Sequence, residues 1–168
     1  CIRDWYNRPW NKVVRPKSAY VAADMVRAMR DACYNDNIGY DQYQRTSLYT
    51  QAKETGWDLG SITVPCETDC SALIAVCVNA AGVAVSKDIY TGNMVKAMEA
   101  TGQFEVLTAS KYLTSDAYLM AGDTLVYEGH HTAMALQYGA KASYRQGWNY
   151  DYYGWFYSLA GGRDYLKS

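Results

Sequence analysis

The chain has 168 residues, 49% of them apolar and 20% charged, with a formal net charge of -1. That length suits one domain of ordinary size, and the apolar content can fill a packed core, which excludes a disordered chain. The near-neutral balance gives no electrostatic case for nucleic acid or an anionic membrane surface, and no apolar run approaches the roughly 20 residues of a membrane span.

The opening, "CIRDWYNRPWNK", is aromatic and charged, unlike a signal peptide, and a cysteine in first position reads as a processing or excision boundary. Residues 18–33, "SAYVAADMVRAMRDAC", set Val21, Met25, Met29 and Ala32 at helical spacing behind Ser18, a natural N-cap. "YNDNIGYDQ" follows as a polar loop. Residues 46–54 predict a short second helix and residues 56–65 a loop. From Cys70 onward, Leu73, Ile74, Cys77, Val78 and Ala81 line one helical face, and Gly82 stands where a C-cap is expected. "TGNMVKAMEATG" predicts a further capped helix, then "GDTLVYEG" and "HTAMALQYG" predict two β segments. Helices precede strands, which points to α+β rather than alternating α/β.

Five cysteines cannot all pair within the chain, and their wide spread does not match a small disulfide scaffold. Free thiols and a reducing compartment follow. Three of the five fall in "VPCETDCSALIAVC". Cys66 and Cys70 are spaced C-x3-C, and His130 with His131 would complete a zinc set on paper. Adjacent strand residues point to opposite faces, however, so the two imidazoles would hardly meet one tetrahedral ion. No metal or other cofactor is therefore expected. Cys77, two turns past Cys70 on the apolar side, reads as a core residue, as does Cys33 at the end of its helix. Cys66, in the loop before the helix, stays open.

Cys70 stands apart. With Asp69 as N-cap, Cys70 takes the first helical position and Ser71 the second. Unpaired backbone N–H groups and the positive end of the helix dipole favour a thiolate there, and the same amides suit a developing oxyanion. A nucleophile needs a base, and the chain has only two histidines. Along "HHTAMAL", His131 shares a face with Ala133 and Ala135, whereas His130 shares one with Thr132, Met134 and Leu136. A small-residue face admits a closely packed helix, so His131 is expected to face the Cys70 helix and to be the base.

These residues resemble the NlpC-type, papain-like peptidoglycan hydrolases, above all the phage-endolysin and prophage members of Gram-positive hosts. The nucleophile segment is "TDCSALIAVCVNAAGV" and the base segment "AGDTLVYEGHHTAMAL"; "YTGNM", "IGYDQYQR" and "RDWYNRPWNKV" also fit. The resemblance covers residues 1–140. It implies a papain-like α+β domain over residues 1–142, with the nucleophile helix packed on an antiparallel sheet. Cys70 would attack an amide carbonyl of the cell-wall stem peptide, and His131 would take up the thiol proton, the two resting as a thiolate–imidazolium pair. Asp69 and Ser71 would border the substrate, and Tyr40 and Gln42 would position its carbonyl. The family's third polar residue, which orients the imidazole, is not evident: Ser143, Gln137 and Gln146 are the candidates. The implied activity is a D-γ-glutamyl–diamino acid endopeptidase acting on bacterial peptidoglycan. An N-acetylmuramoyl-L-alanine amidase with the same dyad, a wall-binding module with a vestigial dyad, and a zinc-stabilised interaction domain are the rivals. The enzyme would be made in the bacterial cytoplasm and act at the wall, without membrane insertion.

Residues 143–168 hold six tyrosines, two tryptophans and a phenylalanine. "GWNYDYYGWFYSLAGGRDYLKS" resembles the start of a choline-binding-type wall repeat, in which aromatics hold a polymer by contacts that include cation–π. A separable module of that kind predicts that removing it spares the catalytic unit. The other reading is a β-hairpin packed on the catalytic sheet.

Overall fold

The computed structural model describes residues 1–159 and the backbone of Tyr165–Lys167. Its elements in order are β1 (Lys12–Pro16), α1 (Ala19–Tyr34), β2 (Ile38–Tyr40), α2 (Ser47–Glu54), a 3-10 turn (Leu59–Ser61), β3 (Cys66–Thr68), α3 (Cys70–Ala80), α4 (Met94–Ala100), β4 (Phe104–Leu107), α5 (Ser110–Leu113), β5 (Thr124–Tyr127), β6 (His131–Met134), β7 (Gly147–Asp151), β8 (Gly154–Ser158) and β9 (Tyr165–Lys167). The α+β class expected from the residues is what forms. All four predicted helices are present: Ser18 caps α1 by accepting from the Tyr20 and Val21 amides, and Gly82, left-handed at φ +79°, ends the turn after α3.

The main sheet is antiparallel, in the order β4-β1-β5-β6. Two of its strands, β1 and β4, are not evident in the sequence. Each is four or five residues long, and the central β1 carries only the Val13–Val14 pair between polar neighbours. Central placement buries that pair on opposite faces, so neither the alternation of a half-buried strand nor a long apolar run marks it. Val14 and Val126 face the core shared with α1 and α3, and Val13 and Leu125 face a second cluster containing Trp10 and Leu119. Arg15 crosses to Asp123 with a two-pronged ion pair, Nε to Oδ1 at 2.8 Å and Nη2 to Oδ2 at 2.7 Å. The preceding Gly122 has φ +94°, and a Cβ there would lie 2.9 Å from that of Ala22 in α1. Gly122 thus lets the sheet approach the first helix closely, and Asp123 ties the start of β5 to β1 by charge.

A small parallel pair, β2-β3, runs beside the start of α3 with Tyr40 opposite Thr68. The third sheet, β7-β8-β9, is separate from the main sheet and packs on α1 through β7. Tyr150 joins Ala23, Val26 and Ala121 in one apolar cluster, and Arg30 Nη1 donates to its hydroxyl at 3.1 Å. Asn149 is fully buried: its Oδ1 accepts from Tyr138 at 3.0 Å, and its Nδ2 donates to the Arg145 carbonyl at 2.7 Å. Arg145 Nη2 reaches the Pro16 carbonyl at 2.6 Å. Part of the segment read as a wall repeat, residues 160–164, lies outside the described residues.

Candidate active site

The nucleophile candidate is placed by a dense cap. Asp69, extended at φ -120° and ψ -176°, accepts from the Ala72 amide at 2.8 Å, which starts α3 at Cys70. Its carboxylate also accepts from Arg45, Nε to Oδ2 at 2.5 Å and Nη2 to Oδ1 at 3.2 Å. Arg45 Nη2 lies 2.9 Å from the Ser71 hydroxyl and 2.6 Å from the Ile89 carbonyl, so one guanidinium ties the helix start to the loop after α3. Burial alone would raise the Asp69 carboxyl, but Arg45, the Ala72 amide and Ser71 together hold it below the ordinary carboxylate value. Arg45 was not evident from the sequence, because the contact spans 24 positions and nothing local marks it.

Around that cap the structure gathers Tyr40, Gln42, Asp69, Cys70 and Ser71. Tyr40 is 62% exposed at the end of β2, beside the helix start. Burial of its hydroxyl, then the charges at Cys70 and Asp69, push it above its ordinary value, while Gln42 and the Cys70 backbone pull the other way. Ser71 is 3% exposed, with its hydroxyl between Asp69 and Arg45, so it braces the cap instead of lining open surface. Cys70 is partly exposed. Cys66, the ambiguous one, lies buried on β3 with its thiol pushed up by burial and by Glu67, and Cys77 is fully buried with its thiol pushed far up by burial. Among the described residues, no three His, Cys, Asp or Glu side chains group as metal ligands do.

His131 lies on β6, the strand against which α3 packs. It opens β6 opposite Tyr127, and its Nε2 lies 3.1 Å from the Tyr6 hydroxyl. Trp10 lies alongside, ring centroids 6.0 Å apart and 32° between planes. Burial and then the Arg8 charge hold the imidazole below its ordinary value. His130 is exposed in the preceding turn and stacks on Tyr127, centroids 4.1 Å apart. Alternation separates the two histidines as expected, but the small face of β6 does not meet the α3 core. Met134 and Leu136 pack on the core that contains α3, whereas Ala133 and Ala135 pack with Trp10, Val13 and Leu125. The small residues make room for Trp5, Tyr6 and Trp10 of the opening segment, not for the Cys70 helix. Helix α3 packs against β6, yet among the described residues no hydrogen bond joins Cys70 to His131. The candidate orienters Gln137, Ser143 and Gln146 are all exposed.

Comparison with known proteins supplies the family. The model of the endolysin-like domain matches residues 1–142. The chain belongs to the endolysin-like domain family. No curated protein and no solved structure matches it. Membership supports an endolysin-type enzyme acting on peptidoglycan at the cell wall. No helix among the described residues of this endolysin-like chain is long and apolar enough to cross a membrane.

Proposed function

We propose that this endolysin-like domain is a papain-like, NlpC-type cysteine hydrolase that cuts an amide bond of the peptidoglycan stem peptide, as a D-γ-glutamyl–diamino acid endopeptidase. The observation that carries the reading is Cys70 at the first position of a capped helix, partly exposed beside Tyr40, in a domain of the endolysin-like family. In this mechanism the Cys70 thiol gives its proton to His131 and the sulfur attacks the amide carbonyl. The tetrahedral oxyanion is met by the Cys70 backbone N–H, with Tyr40 and Gln42 holding the carbonyl group. Collapse breaks the C–N bond, the imidazolium protonates the leaving amine, and water then hydrolyses the thioester. Asp69 and Ser71 act through the cap, which fixes the direction of the thiol. His131 is preferred to His130 as base because it is partly buried and hydrogen-bonded, whereas His130 lies exposed on a turn. Exposed Trp148, Tyr153 and Tyr157 on the C-terminal sheet support a further part for it in holding the wall polymer.

The test is mass spectrometry of muropeptides released from walls of known composition. New amino-terminal diamino acids are expected. Free L-alanine amino termini would make the enzyme an amidase, and no new amino group at all would sink the reading.

A further inference from the structure

We infer that Tyr6 is the positioning residue for His131, so that the group orienting the imidazole comes from the opening segment of the chain and not from the strand after β6. This rests on the reading of His131 as the base. The Tyr6 hydroxyl lies 3.1 Å from Nε2 of His131, and among the described residues Nδ1 has no hydrogen-bond partner. With Nε2 engaged, Nδ1 is the nitrogen left to receive a proton. The matching tautomer keeps hydrogen on Nε2, which donates to the phenol oxygen. When Nδ1 takes the Cys70 thiol proton, the ring becomes imidazolium and the Nε2–H donation becomes charge-assisted. Tyr6 keeps its own proton throughout.

The contact is built and not incidental. Trp10 is buried, its indole N–H donates to the Tyr6 carbonyl at 3.3 Å, and its ring meets that of Tyr6 edge-on at 5.7 Å. The next residue is tied to the sheet, since the Asn11 amide donates to the Val126 carbonyl at 3.0 Å and Asn11 Oδ1 accepts from the Glu128 amide. Arg3 and Arg8 lie over the Tyr6 ring, 4.3 and 5.6 Å from its centroid. Five residues of chain thus run from a strand anchor to the phenol, and Ala133 of β6 with Ala135 just beyond it leave the room it occupies. None of the exposed polar residues Gln137, Ser143 and Gln146 meets the ring in this way.

The test pairs turnover with the tautomer of His131 in the full chain. In a His130→Ala background a single imidazole remains, and its two ring nitrogens are read by nitrogen NMR. The expected result is a dominant Nε2–H tautomer, which becomes mixed in Tyr6→Phe. The phenylalanine keeps the ring and its packing, so the fold should hold. Turnover should fall on the order of tenfold, a fraction of what a general base supplies, with KM little changed. An unchanged tautomer in Tyr6→Phe would overturn the inference. So would a mixed tautomer with full activity while His131→Ala is dead. Full activity in Cys70→Ala would instead overturn the dyad itself, and the tautomer measurement tells that failure from the failure of Tyr6.

Discussion

The thiol of Cys70 is placed by residues one and two positions away, with Arg45 closing the cap, whereas the imidazole of His131 is held by Tyr6 from 125 positions away. The difference decides what each end tolerates. A capped helix start forms wherever Asp69 and Ala72 meet, so the nucleophile end depends on local geometry and one ion pair. The histidine end depends on the opening segment staying docked across the sheet. Local damage should therefore weaken the first by degrees, and loss of docking should remove the second at once.

The largest effect tests whether the two ends act as one unit. Cys70→Ala and His131→Ala are each expected to lower the initial rate of wall lysis by roughly 10³-fold or more, because members of a dyad share their effect. His130→Ala should stay within about tenfold of the parent, since its ring only stacks on Tyr127 at the surface. Circular dichroism checks that all three remain folded. A dead His130→Ala with an active His131→Ala would exchange the histidines. Under the same reading, lysis persists in excess chelator and is abolished by iodoacetamide; loss on chelation would replace the thiol with a metal.

Next comes the C-terminal sheet, for which the expectation of a separable module meets the packing on α1. Removing residues 145–168 uncovers Ala23, Val26 and Ala121 and takes partners from the Pro16 carbonyl and from Arg30. Lost apolar burial and hydrogen bonds of this kind cost on the order of 3–5 kcal/mol together. The truncated chain should show a thermal midpoint lowered by many degrees, or aggregate. An unchanged midpoint would favour the separable module.

A smaller effect sharpens the nucleophile end. Arg45→Met leaves the Asp69 carboxylate without its cation, at a cost on the order of 2 kcal/mol near neutral pH for a pair this little exposed. Because the folded carboxyl titrates below its ordinary value, its stabilisation is full above about pH 3.9 and is lost as the pH falls towards the folded value. The gap in midpoint between parent and variant should thus narrow in acid. A gap constant with pH would mean that Arg45 acts by packing alone.

The smallest effect belongs to the histidine end. With the imidazole held down by burial and by Arg8, the acid limb of kcat/KM should lie below the ordinary value of about 6.5, and Arg8→Gln should move it upward. A shift the other way would mean that Arg8 does not act on His131 through its charge.

What could be read from the residues follows the range of the interactions. Helices α1 and α3, their caps, the core character of Cys77 and the singular position of Cys70 depend on spacing and on neighbours within one or two turns, and these are legible directly. Tyr40 beside Cys70 was legible only through family resemblance, since the parallel pairing of β2 with β3 leaves no local mark. Strands β1 and β4, the Arg45 cap and the face taken by His131 were not legible. Ala133 and Ala135 mark a face with room above it, but a small-residue face does not say what fills that space. Here Tyr6 and Trp10 fill it. Period and capping chemistry are properties of short stretches, and so the sequence by itself determined the helix that carries the thiol. Which bulky side chains occupy a gap is settled only when the whole chain competes for it, and so only the tertiary structure decided what holds the imidazole.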